Sequence, residues 1–257
     1  MDTGRLLDRL DAIGAALAQS PHALALLGLG SVGLELDRLD EYSDLDFFVI
    51  VAPGHKRAYV EDLGWLRAAH PIAYAFQNTP DGCKVLFEDG IFAEYAVFEP
   101  EELRAISFPP GRVVWKHPKV PDSIGQPSGK APVPSLPDLD HALGEAITNL
   151  YVGLLRDGRG EKLTAMRFIQ GYAVDRLMEL AEFVEPAQPS HRDPYGRERR
   201  FEQRHPNLAR EAGTWMQGYD RNRESALAIL AFLEKHFEVD GAMARAIREV
   251  AGDGSPG

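Results

Sequence analysis

The spacing of apolar residues changes once along the chain, from a mixed pattern in the first half to a purely helical one in the second. Leucine and isoleucine recur every three or four residues over 5–19, which predicts an amphipathic first helix. A second helix is predicted over 60–69, before Pro71. Short apolar runs predict strands at about 23–29, 45–51, 72–77, 84–88, 91–98 and 112–116. Asp89-Gly90 between two of these runs indicates a hairpin, because glycine accepts the positive φ of a two-residue turn.

Residues 117–137 contain six prolines and separate this region from the helical half. Such a composition predicts a linker or a strapped surface loop without regular structure. Beyond it, helices are predicted at 138–156, 161–183, 208–216, 221–236 and 241–250, with a basic loop over 186–200. The predicted fold class is therefore α+β. A mixed-sheet domain with flanking helices occupies 1–120, a linker about 117–137, and a helical bundle domain 137–257.

Composition and charge narrow the classes of protein to consider. A formal net charge of −11 argues against a dedicated nucleic-acid binder, which would carry a basic face. The longest apolar runs, such as 47–52, are far shorter than the roughly 18 residues that span a bilayer. The single cysteine, Cys83, excludes an internal disulfide framework and fits a reducing compartment. We therefore expect a cytoplasmic protein without nucleic-acid or membrane partners.

The stretch from 26 to 51 has two incompatible interpretations. Gly28, Gly30 and Gly33 spell the G-x-G-x-x-G of a dinucleotide-binding turn. Such a turn needs a crossover helix after its third glycine and a ribose-binding acid at the end of the next strand. Here only the short, highly charged segment 34–43 precedes the next predicted strand, and the acids lie at the start of that strand. The surroundings disfavour an NAD-dependent oxidoreductase.

The second interpretation rests on three carboxylates. Asp44 and Asp46 stand at a predicted strand start, and side chains two apart in a strand project from one face. Two such carboxylates repel each other unless a cation such as Mg²⁺ lies between or beside them. A third acid, Glu94, is centred in an apolar strand, where burial without a partner is costly. The residues alone also allow a turn-capping aspartate beside a solvated one, and an edge-strand Glu94 facing solvent.

These residues resemble the hallmark of the nucleotidyltransferase superfamily. The hallmark is a Gly-Ser turn, here Gly30-Ser31, a D-x-D at a strand start ten to thirteen residues later, and a third acid on a following strand. A small domain of this kind followed by helices is similar to the antibiotic-modifying branch, the lincosamide and aminoglycoside nucleotidyltransferases. The run "YSDLDF" is most similar to the lincosamide type. The resemblance covers roughly residues 20–100; over the helical half it is one of architecture only.

The resemblance implies roles for these residues. The amides around Gly30 and the hydroxyl groups of Ser31 and Ser43 would bind a nucleoside triphosphate, with ATP the expected one. Asp44 and Asp46 would hold Mg²⁺, and Glu94 would complete a second metal site or accept a proton. The implied reaction transfers a nucleoside monophosphate to a hydroxyl of a small molecule such as a lincosamide or an aminoglycoside. Members of this branch are often homodimers.

The chain departs from the family in one respect. Members commonly carry a basic residue shortly after the Gly-Ser, whereas here the first basic residue is Arg38. Lys84, Lys162 or Arg167 could supply the missing charge, although a solvated surface charge is the alternative for each. Two other functions stay open: modification of a protein side chain, and nucleotide sensing without turnover. The large helical half favours a small-molecule acceptor pocket between two domains over a protein acceptor.

Overall fold

The computed structural model describes residues 4–129, 137–190, 193 and 196–252. The chain divides into two compact units, Met1–Ala131 and Pro132–Gly257. Residues 130–136 of the predicted linker, and 191–192 and 194–195 of the predicted basic loop, lie outside the described residues. None of the helices in the described ranges combines the length and the apolar character that crossing a bilayer requires.

Six strands of the first unit form one mixed sheet in the order β3-β4-β5-β2-β1-β6. The strands are β1 Ala23–Gly28, β2 Leu45–Val51, β3 Ile72–Gln77, β4 Gly82–Phe87, β5 Phe92–Phe98 and β6 Arg112–Lys116. The pair β2–β5 is parallel, and all other neighbours are antiparallel. The predicted hairpin joins β4 to β5, with Gly90 at φ +87°. The predicted fold class, α+β with a mixed sheet followed by helices, is confirmed.

One face of the sheet is covered by three helices, α1 Gly4–Ala18, α2 Lys56–Glu61 and α3 Gly64–Arg67. Alternate residues of β2, beginning with Leu45 and Phe47, point into this core together with the apolar stripe of α1. Each such side chain contributes roughly 1.5–3 kcal/mol when fully buried.

The prediction of a single helix over 60–69 is wrong. The chain leaves helical geometry at Asp62, whose carboxylate accepts a hydrogen bond from the Gly64 amide at 2.8 Å.

The opposite face of the sheet, here called the second face, has a buried apolar core at one end only. Ile50 and Phe98 form a smaller core there with Leu103 of α4, a helix over Pro100–Ala105. The sequence analysis missed α4, although Glu99 and Glu102 form a reciprocal capping box around Pro100 at its start. After β6, a 3-10 turn spans Asp122–Gly125, so the prolines do not exclude all regular structure from this segment.

The second unit is a helical bundle whose buried residues form one core. Its helices are α5 Leu139–Gly158, α6 Lys162–Met166, α7 Val174–Val184, α8 Phe201–Arg204, α9 Pro206–Trp215, α10 Asn222–His236 and α11 Gly241–Ala251. The continuous α-helix predicted over 161–183 is interrupted by a π-helical turn, Arg167–Ala173. That turn places Gln170 inside the bundle, where its amide contacts Asn222 Oδ1 and the backbone of Gly218 at 2.8 Å.

A second buried polar group ties α7 to α8 and α9. His205 is fully buried and its Nδ1 lies 3.0 Å from the carbonyl oxygen of Glu185. The Glu185 carboxylate accepts hydrogen bonds from the Asn207 side chain and the Leu208 amide. Burial, and then the neighbouring positive charge of Arg204, lower the pKa of His205 below its usual 6.5. The imidazole is therefore neutral in the folded protein over a wider acidic range than in the unfolded chain.

We expect the stability of the protein to fall as the pH drops below 6.5, since unfolding then lets His205 take up a proton that the folded state excludes. One such group changes the free energy of unfolding by at most about 1.4 kcal/mol per pH unit. Urea unfolding at pH 7.5 and 5.5 should show a smaller pH dependence in His205→Gln than in the unsubstituted protein. Burial also lowers the pKa of His236, and this second histidine contributes equally to the pH dependence of the variant and of the unsubstituted protein. An identical pH dependence would contradict the role assigned to His205.

Candidate functional site

The turn after β1 requires its three glycines for reasons of space and backbone geometry. Gly30 adopts φ +52°, in the left-handed region that other residues avoid. A Cβ on Gly28 would lie 2.7 Å from the carbonyl oxygen of Val32, and one on Gly33 would lie 2.7 Å from that of Gly28. The turn thus folds back tightly on the end of β1, and side chains at these positions would prevent it.

This turn does not have the architecture of a dinucleotide site. In place of a crossover helix, one short 3-10 turn lies within the glycine motif, Gly30–Val32, and another follows it, Leu36–Arg38. The chain then enters β2, which is antiparallel to β1. A dinucleotide-binding unit needs parallel strands joined by a helix that starts at the turn. The G-x-G-x-x-G therefore reflects the close packing of a turn that differs from a dinucleotide-binding turn.

The glycine turn lies against Asp46 of β2. The Leu29 amide donates a hydrogen bond to the Asp46 carbonyl oxygen at 2.8 Å. On the side-chain side, Asp46 Oδ2 lies only 3.9 Å from where a Cβ on Gly30 would be. A left-handed residue followed by helical ones points successive amides toward one side, which makes a concavity for anions. A turn whose backbone geometry suits an anion thus lies beside a carboxylate whose oxygens suit a cation.

Strand register brings the third acid to the same row. Asp46 pairs with Glu94 across the parallel β2–β5 ladder, and Glu94 pairs with Lys84 across the antiparallel β4–β5 ladder. Lys84 Nζ lies 3.0 Å from Glu94 Oε2, and Asn78 Nδ2 donates to Glu94 Oε1 at 3.1 Å. We call Asp46, Glu94 and Lys84 the charged row. Because β5 is an internal strand, Glu94 does not lie on an edge strand, but its side chain is 41% exposed to solvent.

Asp44 and Ser43 precede β2 in a tight turn. The Ser43 hydroxyl donates to Asp40 Oδ1 and accepts from the Asp40 amide, both at 3.0 Å. This hydroxyl is therefore engaged within the turn, where it stabilises the approach to the strand. Asp44 is half-buried and lies two residues before Asp46. Because Asp44 precedes Asp46 by two residues, it is the candidate for a second carboxylate beside the charged row.

The carboxylates are chemically suited to Mg²⁺, which prefers oxygen ligands, but Glu94 is turned to Lys84 and Asn78. In the described ranges, no group of three or more His, Cys, Asp or Glu side chains is arranged to hold a metal ion. Asp44 and Asp46, two residues apart at the start of β2, are the remaining candidate pair for one ion. A third ligand from Glu94 requires exchange of its ion pair with Lys84, and a partly exposed pair of this kind contributes only about 0–1 kcal/mol.

The other cations named from the sequence are described by their own surroundings. Lys162 Nζ pairs with Asp220 Oδ1 at 2.6 Å, and Arg38 pairs with Glu35. Arg167 is exposed at the start of the π-helical turn of the second unit. Lys84 alone among these cations belongs to the charged row.

Sequence reasoning missed a cation behind the glycine turn. Arg112 of β6 pairs in register with Gly28, and its Nε donates to the Val32 carbonyl oxygen at 3.1 Å. Its Nη2 is buried and has no hydrogen-bond partner among the residues that the structure describes. Arg112 therefore brings positive charge to the turn that lacks a basic residue of its own. Only the pairing of β1 with β6 reveals this, since the residues are 80 positions apart.

An apolar strip flanks the charged row on the second face. Tyr74 and Phe76 of β3 are 57% and 53% exposed, and Phe76 is in register with Lys84. Leu86 and Phe92, paired across β4 and β5, are both 37% exposed. Exposed aromatic rings beside charged groups are typical of surfaces that bind a ligand with an apolar face.

Comparison with known proteins finds similarity of low degree, and only to solved structures. No family model matches the chain, and no curated protein matches it. A similar solved structure is that of an aminoglycoside 6-adenyltransferase from Bacillus subtilis, with 13% identity over 96% of this chain and 91% of that one. The TM-score is 0.34. That protein is an antibiotic nucleotidyltransferase, the class that the amino-terminal motifs resemble, and a similarity of this degree carries no argument about substrate or mechanism.

We expect Gly33→Ala to lower the free energy of unfolding by about 1–3 kcal/mol, because the added methyl has no room against the backbone of Gly28 and Leu29. Gly144→Ala is the matched control, since a Cβ on this exposed position of α5 meets nothing within 4 Å. That change should raise stability, by up to about 1 kcal/mol. Urea unfolding measures both. Equal effects of the two changes would contradict the packing of the turn described here.

Proposed function

We propose that the protein is a Mg²⁺-dependent nucleotidyltransferase that moves a nucleoside monophosphate from a nucleoside triphosphate, ATP first among them, to a hydroxyl of a small molecule. The observation that supports this most directly is the glycine turn lying against Asp46, with Glu94 in register on the next strand. An anion site and adjacent carboxylates suit a triphosphate and the cation that accompanies it. In this proposal the first unit is the nucleotidyltransferase domain.

Each residue has a defined part in the proposed reaction. The amides of the glycine turn and the Ser31 hydroxyl bind the triphosphate, and Arg112 adds positive charge behind the turn. Asp44 and Asp46 hold Mg²⁺, which offsets the charge of the phosphates and of the pyrophosphate that leaves.

Bond making and proton transfer complete the reaction. The acceptor oxygen forms a bond to the α-phosphorus while the bond from this phosphorus to pyrophosphate breaks. Glu94 accepts the proton of the acceptor hydroxyl, which requires its carboxylate to be released from Lys84. Lys84, once released, is placed to pair with phosphate oxygens instead.

The surface around the charged row favours an acceptor with an apolar face. Tyr74 and Phe76 are exposed next to this row, and aromatic rings pack well against the carbon face of a sugar. The chain as a whole is acidic, with a net charge of −11, which attracts cationic molecules. A cationic glycoside such as an aminoglycoside, or a lincosamide, fits both features.

A second candidate function is nucleotide sensing without turnover. The ion pair between Glu94 and Lys84 favours it, since a carboxylate held by an ammonium group is a poor base and a poor third metal ligand. The two candidates share the nucleotide site and differ only in whether pyrophosphate is released.

The first test is stabilisation by nucleotide. We expect one triphosphate to raise the thermal unfolding midpoint only when Mg²⁺ is present, and Asp44→Asn/Asp46→Asn to abolish the shift. Nucleotide at a hundred times its Kd adds about 2.7 kcal/mol to the free energy of unfolding. The matched control is Asp8→Asn/Asp11→Asn, which removes two exposed carboxylates of α1.

The outcomes separate the candidates. Pyrophosphate release with a panel of hydroxylated antibiotics supports the transferase, and its absence despite Mg²⁺-dependent binding supports the sensor. A mass shift on a partner protein would instead indicate a protein acceptor. Stabilisation by NAD without metal, or by no nucleotide at all, would contradict the proposal.

Arg112 is tested by comparing ligands with different numbers of phosphates. Arg112→Met should weaken ATP binding by at least about tenfold, because a charged hydrogen-bonding group is lost, and leave adenosine binding unchanged. Arg112→Lys should lose less, and Arg57→Met, an exposed arginine of α2, should lose nothing. If Arg112→Met weakened the binding of ATP and of adenosine equally, Arg112 would only stabilise the glycine turn and would not contact phosphate.

A further inference from the structure

The second face of the sheet carries a cavity of about 250 Å³ at the end opposite to the charged row. Leu24 of β1 and Ile50 of β2 line it from the sheet, and residues of α4 line one side. The segment from Lys119 to Ser128 covers it. Ile50 is four residues beyond Asp46 along β2, about 13 Å at about 3.3 Å per residue. The cavity and the proposed nucleotide site therefore share no residue.

The covering segment is anchored at two points. Lys116 Nζ donates to the Val120 carbonyl oxygen at 2.9 Å and pairs with Asp122 at 3.2 Å. Further along, the Gly111 amide donates to the Gly125 carbonyl oxygen at 2.8 Å. A Cβ on Gly125 would lie 2.5 Å from the carbonyl oxygen of Gly111, so the two backbones are in close contact. These contacts hold the segment in place above the cavity. A ligand therefore binds without the entropy cost of ordering this segment.

The inner part of the cavity is apolar and its outer part is positive. Ile50 and Leu103 on the inner side are 0% and 4% exposed. Arg104 of α4 and Lys119 of the covering segment are the charged residues that line it, and no acid does. Both side chains are exposed, and neither forms an ion pair within the described part of the chain. In a chain of net charge −11, two cations left unpaired around one apolar cavity form a local site for an anion.

We propose that this cavity binds a small amphipathic monoanion, a carboxylate with a short apolar tail. The tail lies over Ile50 and Leu103, and the carboxylate lies between Arg104 and Lys119. The volume is just below the range of about 300–1,000 Å³ typical of drug-sized ligands, which restricts the ligand to a short chain or a single ring. This site is independent of the proposed transferase function, and either can fail without the other.

The test uses octanoate as the ligand, followed by calorimetry and by amide chemical shifts. Octanoate should bind with shifts at residues that line the cavity, and butanoate and hexanoate should bind more weakly by about fourfold per methylene removed. Uncharged octan-1-ol should bind at least about tenfold more weakly than octanoate, because it lacks the charge that the two cations attract. Octylamine should not bind.

Two variants locate the site. Arg104→Gln/Lys119→Gln should weaken octanoate binding by about tenfold, whereas Arg57→Gln/Arg210→Gln, which removes two exposed arginines outside the cavity, should not. Ser123 is an exposed residue of the covering segment that lines the cavity. Ser123→Phe places an aromatic ring in the cavity and should abolish octanoate binding. Binding of octanol as tight as that of octanoate, unchanged affinity in either cavity variant, or no binding by octanoate would each overturn the proposal.

Discussion

The parallel register between β2 and β5 is the constraint on which the candidate site depends. In an otherwise antiparallel sheet, this one pair sets Asp46 beside Glu94 and at the same time directs Leu45 and Ala93 into the core under α1. A shift of one residue would exchange the two faces and bury the carboxylates. The apolar core therefore stabilises the position of the acids indirectly. The hydrogen bond from the Leu29 amide to Asp46 then fixes the glycine turn to the same point.

The two faces of the sheet have different physical roles. The face under α1, α2 and α3 is a continuous apolar core, whereas the second face has a small apolar core at one end and the charged row at the other. Between Glu94 and Lys84 lies an ion pair that is partly exposed and therefore exchangeable. Such a pair keeps two opposite charges in place without deeply burying either, which suits a surface where a phosphate or a cation can replace one partner.

Two buried polar side chains in the helical unit, Gln170 and His205, have hydrogen-bond partners inside it. Gln170 faces the interior because a π-helical turn inserts an additional residue per turn, and Gly218 and Asn222 satisfy its amide. His205 is held by the Glu185 carbonyl, and Glu185 in turn accepts amide hydrogens at the start of α9. Networks of this kind define one packing arrangement, because any other would leave buried polar atoms without partners.

The sequence by itself determined the features that depend on neighbours along the chain. β2, β3 and β6 begin and end where alternation and apolar runs predict, and the hairpin at Asp89-Gly90 follows from glycine's backbone freedom. The D-x-D pair and the Gly-Ser turn are equally local. A helix break at Asp62 and the capping box of α4 were also local signals, but weaker than the apolar pattern around them.

Only the tertiary structure decided which distant residues meet. The approach of Arg112 to the glycine turn, the pairing of Glu94 with Lys84 and Asn78, and the cavity beneath the segment after β6 all depend on strand order and packing. Strand order results from burial summed over the whole sheet. The sequence of one strand does not specify which other strand it will pair with. For that reason the carboxylates could be named from the sequence, whereas their partners could not.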